Sequence, residues 1–471
     1  MKTIWTPQRK QAIAMQHGED ELLYGGAAGG GKSDYLVVEP TRQIKIPEYR
    51  ALILRKSVPE LAQLIDRSLV IYPQICKKAK FNNTKHLWTF PSGAKIQFGS
   101  LFHIKDKYKY QGLQYDFIGF DELTQFTWEE YSYLKSRNRA NCKDTRVYVR
   151  ATANPGGIGH GWVKQYFVTA GKPYETIWKK DAVKMPDGTI KYYFSSKAFI
   201  PASVFDNDEL LKNDPDYVKR LAQMNEADRN ALLYGSWDSF AGQVFLEWMD
   251  DREHYKDKRF THVIEPFDIP WGWRIIRSFD WGYTKPFSVG WTAVDNDGRY
   301  YRIRELYGCT NEPNTGVKWD DVDVAKRIKE IEMTDPNIKG HQIYGVADPA
   351  IFAEQGSGKS IAATHAEMGV YWNKGDNSRI SGKMQFHYRL AFDEKGIAMF
   401  YCFNTCRDFI RTIPNLVYSE KHVEDIDTDG EDHIYDESRY AFMTNVITPR
   451  KTVLRSIREF DPLNMSDRIF S

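Results

Sequence analysis

Cysteine is scarce: five in 471 residues, an odd number at low density. That excludes a small disulfide-stapled secreted scaffold and fits reduced thiols. Cys76, Cys142 and Cys309 stand alone. Cys402 and Cys406 are four apart, but no second Cys/His pair accompanies them, and a structural zinc site wants four ligands. No stretch of about 18 uninterrupted apolar residues exists, so no membrane span is expected. Met1-Lys2-Thr3-Ile4-Trp5 runs at once into Thr6-Pro7-Gln8-Arg9-Lys10. Without the apolar core of a secretion signal, the protein is expected to stay inside the cell that makes it. There is no fixed-period repeat and no low-complexity tract, and 42% hydrophobic with 27% charged residues excludes a disordered chain.

Net charge is nearly absent too, at +2, but its distribution is uneven. Residues 1–200 hold 31 Lys and Arg against 18 Asp and Glu, and the remainder holds 34 against 45. A basic front suits a polyanion, and an acidic back suits metal ions. At 471 residues the chain is long enough for two or three domains. Alternation of elements suggests two α/β folds of different order.

In the first fold, Leu22–Gly26, Ala51–Arg55, Asp116–Phe120 and Arg146–Ala151 read as strands, apolar enough to be buried on both faces of a parallel sheet. Residues 207–234 read as helical. Residues 241–270, with Gly242, Pro266 and Pro270 among many charges, read as a connector. In the second fold Arg274–Asp280 and Phe287–Val294 read as strands. The turn Asp295–Gly298 joins the latter to a hairpin partner, Tyr300–Tyr307. A helix over Asp321–Glu332 and a strand His341–Asp348 follow. Hairpin strands first, then a helix and a fourth strand, suit an RNase H-like sheet.

Gly26-Ala27-Ala28-Gly29-Gly30-Gly31-Lys32-Ser33 matches G-x-x-x-x-G-K-[ST] between a strand and a helix. Gly26, Gly29 and Gly31 let backbone N–H groups curl around phosphate oxygens. Lys32 reaches the β/γ-phosphates, and Ser33 ligates Mg²⁺. The expected cofactors are therefore ATP and Mg²⁺. A neighbouring strand should supply a second acid. Phe117–Phe120 leads into Asp121, expected on the metal, and Glu122, expected to activate the attacking water. Thr152 and Asn154 are candidates to sense the γ-phosphate, and Gln8 to pair with the adenine edge.

Asp280 and Asp348 end strands of the second fold. A third acidic cluster runs Asp425–Tyr440, where Asp432 and Asp436 are four apart on one helical face. Three converging carboxylates repel unless divalent cations sit between them, the two-metal arrangement for cutting phosphodiesters. Mg²⁺ is expected there, and Mn²⁺ fits as well. Acids at strand ends and helix starts also serve as caps.

These residues together resemble the large terminase subunit of tailed bacteriophages. The resemblance rests on Gly26–Ser33, Phe120-Asp121-Glu122, Ala151–Pro155, Ala231–Trp237, Phe279–Gly282 and Asp432–Tyr440, and on Phe199–Asn207 as a lid-like stretch. It implies a P-loop ATPase domain over 1–240, with a lid-like subdomain at 170–240, and an RNase H-like nuclease over 271–471. The ATPase would translocate double-stranded DNA into a procapsid, and the nuclease would cut concatemeric DNA. Implied partners are double-stranded DNA, the portal protein, the small terminase subunit and further copies in a ring, in the cytoplasm of an infected bacterium. By position Asp280 and Asp348 match nuclease metal ligands, Asp436 the third, with His433 close by and Asp432 its competitor. Where some relatives carry an arginine finger this chain has Gln111, which leaves Arg55, Arg137 and Arg139 as candidates. The alternative is a helicase-type ATPase fused to a nuclease in repair or defence; only one nucleotide loop is present, and a second RecA-like domain is not evident. A nucleotide-regulated scaffold would leave Glu122 and the acidic set unexplained.

Overall fold

The computed structural model describes residues 4–238, 240, 242–354, 358–419, 422 and 424–448. The end of the expected nuclease domain, 449–471, lies outside them. The chain divides into two compact units. One is Met1–Val244 with Thr310–Asn314 and Asn415–Asp432; the other is Phe245–Cys309, Thr315–Pro414 and His433–Ser471.

The first unit is built on nine strands: β1 (Glu21–Gly26), β2 (Arg50–Arg55), β3 (Lys80–Asn82), β4 (Leu87–Thr89), β5 (Lys95–Ser100), β6 (Phe117–Phe120), β7 (Tyr148–Ala153), β8 (Ile177–Lys184) and β9 (Ile190–Ala202). Their order is β3-β4-β5-β2-β6-β7-β1-β9-β8. The six from β5 to β9 are parallel, and antiparallel hairpins close both edges. β1, β6 and β7 are buried at every position. β2 shows why: Leu52 and Leu54 join one apolar cluster, with Phe120 and Tyr131, while Ala51 and Ile53 join another, with Leu36 and Tyr72. Alternate residues of a strand face opposite ways, so both faces of this sheet are covered.

Two expectations need adjusting. The helical stretch 207–234 is three short helices, Asp208–Asn213, Tyr217–Ala222 and Glu226–Leu232. Asn207 and Asn225 cap the first and third through their side chains, and those caps break the run. Phe199–Ala202, expected to open a lid-like stretch, is the end of β9, paired with β1 in the core of the sheet.

The second unit carries seven strands: β10 (Val263–Ile264), β11 (Arg274–Asp280), β12 (Ser288–Val294), β13 (Tyr300–Tyr307), β14 (Ile343–Ala347), β15 (Asn373–Lys374) and β16 (Phe400–Phe403). They lie in the order β10-β16-β13-β12-β11-β14-β15. β11, β12 and β13 form an antiparallel meander. β14 then lies parallel to β11. This is the 3-2-1-4-5 arrangement of an RNase H-like sheet, extended beyond β13 by β16 and β10. β10 comes from the stretch expected to be a connector. A helix, Asp321–Thr334, joins β13 to β14, its start capped by Asp320, which accepts from the Asp323 N–H at 2.8 Å. No helix among the described residues is long and apolar enough to cross a membrane.

Candidate active sites

The phosphate-binding loop leaves the C-terminal end of β1 and enters the helix Lys32–Val38. Gly26 has φ +135°, and a Cβ there would stand 2.6 Å from the Ala202 carbonyl of β9. Gly31 has φ +71°, and a Cβ would meet Gln11 Nε2 at 2.5 Å. Gly26 is thus required twice, by its backbone angle and by a backbone neighbour, and Gly31 chiefly by its backbone angle. Gly29 is left-handed too. Ser33, exposed, follows Lys32 in the helix's first turn. Lys32 is buried and its Nζ donates to Ala27 O at 2.5 Å, beneath the loop. Burial holds its pKa below the usual lysine range, while Glu122 and Asp121 pull the other way. An ammonium in that position gains by meeting a further anion.

Asp121 and Glu122 follow β6. β7 separates β6 from β1, so the acids come not from the strand next to the loop strand but from the one beyond. The intervening strand contributes to both acids. Thr152 Oγ1 donates to Asp121 Oδ1 at 2.5 Å. The Asn154 N–H and side-chain amide donate to Glu122 Oε2 and Oε1, both at 2.8 Å. Glu122 has φ +52°, a strained backbone state for a non-glycine residue, held by this two-point grip. Burial raises its pKa, with Asp121 adding and Lys32 opposing. A carboxyl raised toward neutrality is a better proton acceptor near physiological pH. Asn154 Oδ1 is buried without a hydrogen-bond partner, leaving beside Glu122 an acceptor suited to a water O–H. Asn154 therefore orients the Glu122 carboxylate, a contact additional to the sensing role expected of it.

Of Gln8 and Gln11, Gln11 is the one bonded to the loop. Gln8 sits ahead of the helix Arg9–Gln16, its N–H donating to Gln11 Oε1 at 2.7 Å. Gln11, buried, donates through Nε2 to the Gly31 carbonyl at 2.7 Å. Spacing was the signal: Gln11 is one helical turn on from Gln8. Arg55 ends β2, and its guanidinium donates to Asp121 Oδ2 in the same chain. Among the arginine-finger candidates, Arg55 is therefore the one paired with an acid of this site. The guanidinium shows that the Asp121 position accepts a cation, which fits the expected Mg²⁺. Arg137 lies over the Tyr133 ring, and Arg139 and Gln111 are exposed.

In the second unit Asp280 ends β11, and Asp348 follows β14, its N–H donating to Phe279 O at 3.0 Å. The helix His433–Phe442 supplies Asp436 and His433. Burial raises the Asp280 pKa to about 6; His433, 3.5 Å away, opposes this, and Asp436 and Asp348 add to it. The three carboxylates therefore share one electrostatic neighbourhood. They do not form a ready metal cage: among the described residues no three His, Cys, Asp or Glu side chains are grouped to hold an ion. The expected convergence of Asp280, Asp348, Asp436 and Asp432 is corrected to that extent, for a physical reason. Asp436 accepts from Arg379 at 3.3 Å and Arg439 at 3.2 Å, Asp348 Oδ1 accepts from the Ala350 N–H at 2.9 Å, and Asp280 faces His433. Asp432 falls in the first unit and Asp436 in the second. One buried and two half-buried carboxylates that repel one another still fit hard divalent cations.

Glu437, next to Asp436, went unassigned in the sequence. It is fully buried and accepts from Ser278 on β11, from Ser288 on β12 at 3.1 Å and from Arg302 on β13 at 2.8 Å. Gly290 makes room: a Cβ there would stand 2.3 Å from Glu437 Oε1 and 2.4 Å from Arg302 Nη1. Glu437 thus fastens the helix bearing Asp436 to the strand bearing Asp280. A one-residue shift on a helix turns a side chain by about 100°, enough to separate an acid facing the site from one facing the sheet.

The family model described as terminase large subunit, T4likevirus-type, N-terminal, matches residues 23–247. A search of curated protein sequences returns no match. Among solved structures, the large terminase of a thermophilic bacteriophage in complex with ADP is 16% identical, covering 93% of this chain and 99% of that one, with a TM-score of 0.38. The HK97 bacteriophage large terminase is 9% identical, covering 92% of each chain, with a TM-score of 0.46. The P22 large terminase nuclease domain is 19% identical, covering 43% of this chain and 92% of that one, with a TM-score of 0.33.

Proposed function

We propose, from the match of residues 23–247 to the family model of the terminase large subunit N-terminal region, that the chain is the motor of viral genome packaging, hydrolysing ATP to drive double-stranded DNA into a procapsid and cutting concatemeric DNA with its second unit. The observation that carries this reading is the Glu122 grip. A buried base held at two points by Asn154, beside a lysine under the phosphate loop, suits hydrolysis rather than nucleotide binding alone.

In the ATPase, Gly26–Ser33 binds the phosphates through backbone N–H groups, and Lys32 trades its bond to Ala27 for the β/γ-phosphates. Asn154 holds Glu122 against the attacking water, whose proton passes to the Glu122 carboxylate. Mg²⁺, held by Ser33 and Asp121, would neutralise charge developing on the phosphate oxygens. Gln11 fixes the Gly31 carbonyl, so the loop is shaped before a nucleotide arrives. In the nuclease, Asp280, Asp348 and Asp436 would hold Mg²⁺ or Mn²⁺, which would supply an activated hydroxide and polarise the phosphodiester. Asp436 must loosen its bonds to Arg379 and Arg439 to do so.

The specific partners belong to this proposal: the portal protein, the small terminase subunit, neighbouring copies in a ring, and the cytoplasm of an infected bacterium as the setting. The test measures ATP hydrolysis with and without duplex DNA, beside Mn²⁺-dependent plasmid cleavage. Both activities are expected in one chain. Duplex unwinding in place of cleavage would favour the helicase-type reading and overturn this one.

A further inference from the structure

The β8–β9 hairpin has a face that neither activity uses. Antiparallel register sets Lys180 opposite Phe194, Ala182 opposite Tyr192, Lys184 opposite Ile190 and Trp178 opposite Ser196. Directly opposed residues, and those two apart on a strand, share a face. Trp178, Ile190, Tyr192 and Phe194 therefore stand together. Their exposures are 66%, 60%, 51% and 64%. Large apolar side chains this exposed and this close together mark an interaction surface. The charged residues on the face are Lys180 and Lys184, both exposed, with no carboxylate among them. Lys180 Nζ sits 3.8 Å from the centre of the Tyr192 ring. The acid of β8, Asp181, points the other way and pairs with Lys179 at 3.1 Å.

We propose that this face binds single-stranded nucleic acid. Charge complementarity requires an anionic occupant. An anion that also covers three aromatic rings must bring flat apolar faces of its own, and unpaired bases on a phosphate backbone do both. Tyr192 and Phe194, two apart on a strand, are spaced by roughly 7 Å. That is about twice the 3.4 Å stacking rise of a nucleic-acid strand, so a base fits between neighbouring rings. A duplex hides its bases in its stack and offers these rings little.

The test uses the full chain with a fluorescently labelled oligo-dT and a duplex of equal length, binding being read by anisotropy at low and high salt. The oligo-dT is expected to bind, to weaken as salt rises and to quench tryptophan emission. Trp178→Ala with Phe194→Ala should weaken oligo-dT binding by on the order of 10-fold per ring, leaving duplex binding and ATP hydrolysis unchanged. Because both side chains are exposed, their loss removes no core contact. Three results would overturn the proposal: oligo-dT affinity unaltered by the double variant, duplex affinity falling in parallel, or the double variant converting a self-associating chain to a monomer. The last would assign the face to a second copy. The outcome is independent of the packaging reading, which stands or falls on the ATPase and cleavage assays.

Discussion

The two sites treat their carboxylates differently. In the first unit Glu122 is gripped by two N–H groups of one residue, Asn154, which stay where they are while it works. In the second, Asp436 is tied to Arg379 and Arg439, and Asp280 faces His433. Metal ions compete with those partners directly. Glu122 is organised in advance by neutral donors, whereas Asp436, like Asp121 beside Arg55 in the first site, is matched by cationic side chains that a metal would have to displace. Preorganised dipoles cost nothing at the moment of reaction, whereas an exchangeable partner lets the site remain off until its cation and substrate arrive.

The sharpest way to break this contrast is Glu122→Gln. We expect ATP turnover to fall by on the order of 10³–10⁴-fold, with nucleotide affinity retained and plasmid cleavage unchanged. A variant that hydrolyses ATP at the wild-type rate would remove Glu122 as the base. Next, Asp280→Asn should cost on the order of 10³-fold in Mn²⁺-dependent cleavage, while ATPase kinetics stay level. Intact cleavage would show that the ions sit elsewhere.

Glu437→Gln probes how the second site is held. It leaves the Arg302 guanidinium buried and poorly matched, at a cost of about 3 kcal/mol. Calorimetry should show the second unit melting earlier and the first unchanged. Cleavage should need more Mn²⁺ for half-saturation, as Asp436 loses its register with Asp280. Unchanged metal demand would make Glu437 purely a core residue.

The smallest effect is the most diagnostic of strain. Burial raises the Asp280 pKa from 3.8 to about 6. A raised acid binds its proton more tightly folded than unfolded, so its ionisation opposes folding. The penalty is absent below pH 3.8, grows as pH rises and is complete above pH 6. Asp280→Asn should therefore stabilise the metal-free second unit at about pH 7.5, by no more than about 3 kcal/mol. The gain should fade by about pH 4. Melting curves of both proteins with chelator at the two pH values measure it.

Much of this was legible in the sequence where chemistry and backbone geometry coincide. The phosphate loop needs glycines at fixed places and shows them. Asp121, Glu122, Asp280 and Asp348 stand beside strand ends, where apolar runs stop abruptly. The hairpin at Asp295–Gly298 carries its own turn chemistry. What stayed hidden is long-range pairing. Nothing near Arg55 in sequence says that its guanidinium meets Asp121, 66 positions on, because that contact exists only once β2 and β6 lie side by side. Gln8 and Gln11 lie one turn apart, and nothing local says that Gln11 is the one bonded to the Gly31 carbonyl. Asp436 and Glu437 are adjacent acids, and their division of labour appears only when Ser278, Ser288 and Arg302 are assembled beneath them.

β9 is one uninterrupted strand of 13 residues. At one end the Ala202 carbonyl accepts from the Ala27 N–H of the phosphate loop at 2.9 Å; eight residues earlier stands Phe194, on the aromatic face. The separation is roughly 27 Å at strand rise. Extended backbone bonded to its neighbours resists stretching along its axis, so β9 ties the phosphate loop to the hairpin through one continuous strand. A displacement of the loop along that axis is expected to be felt at the hairpin. An environment-sensitive dye at position 194 reads this out: its signal should step on adding ATP to the Glu122→Gln protein, and a flat trace would mean the strand does not carry it.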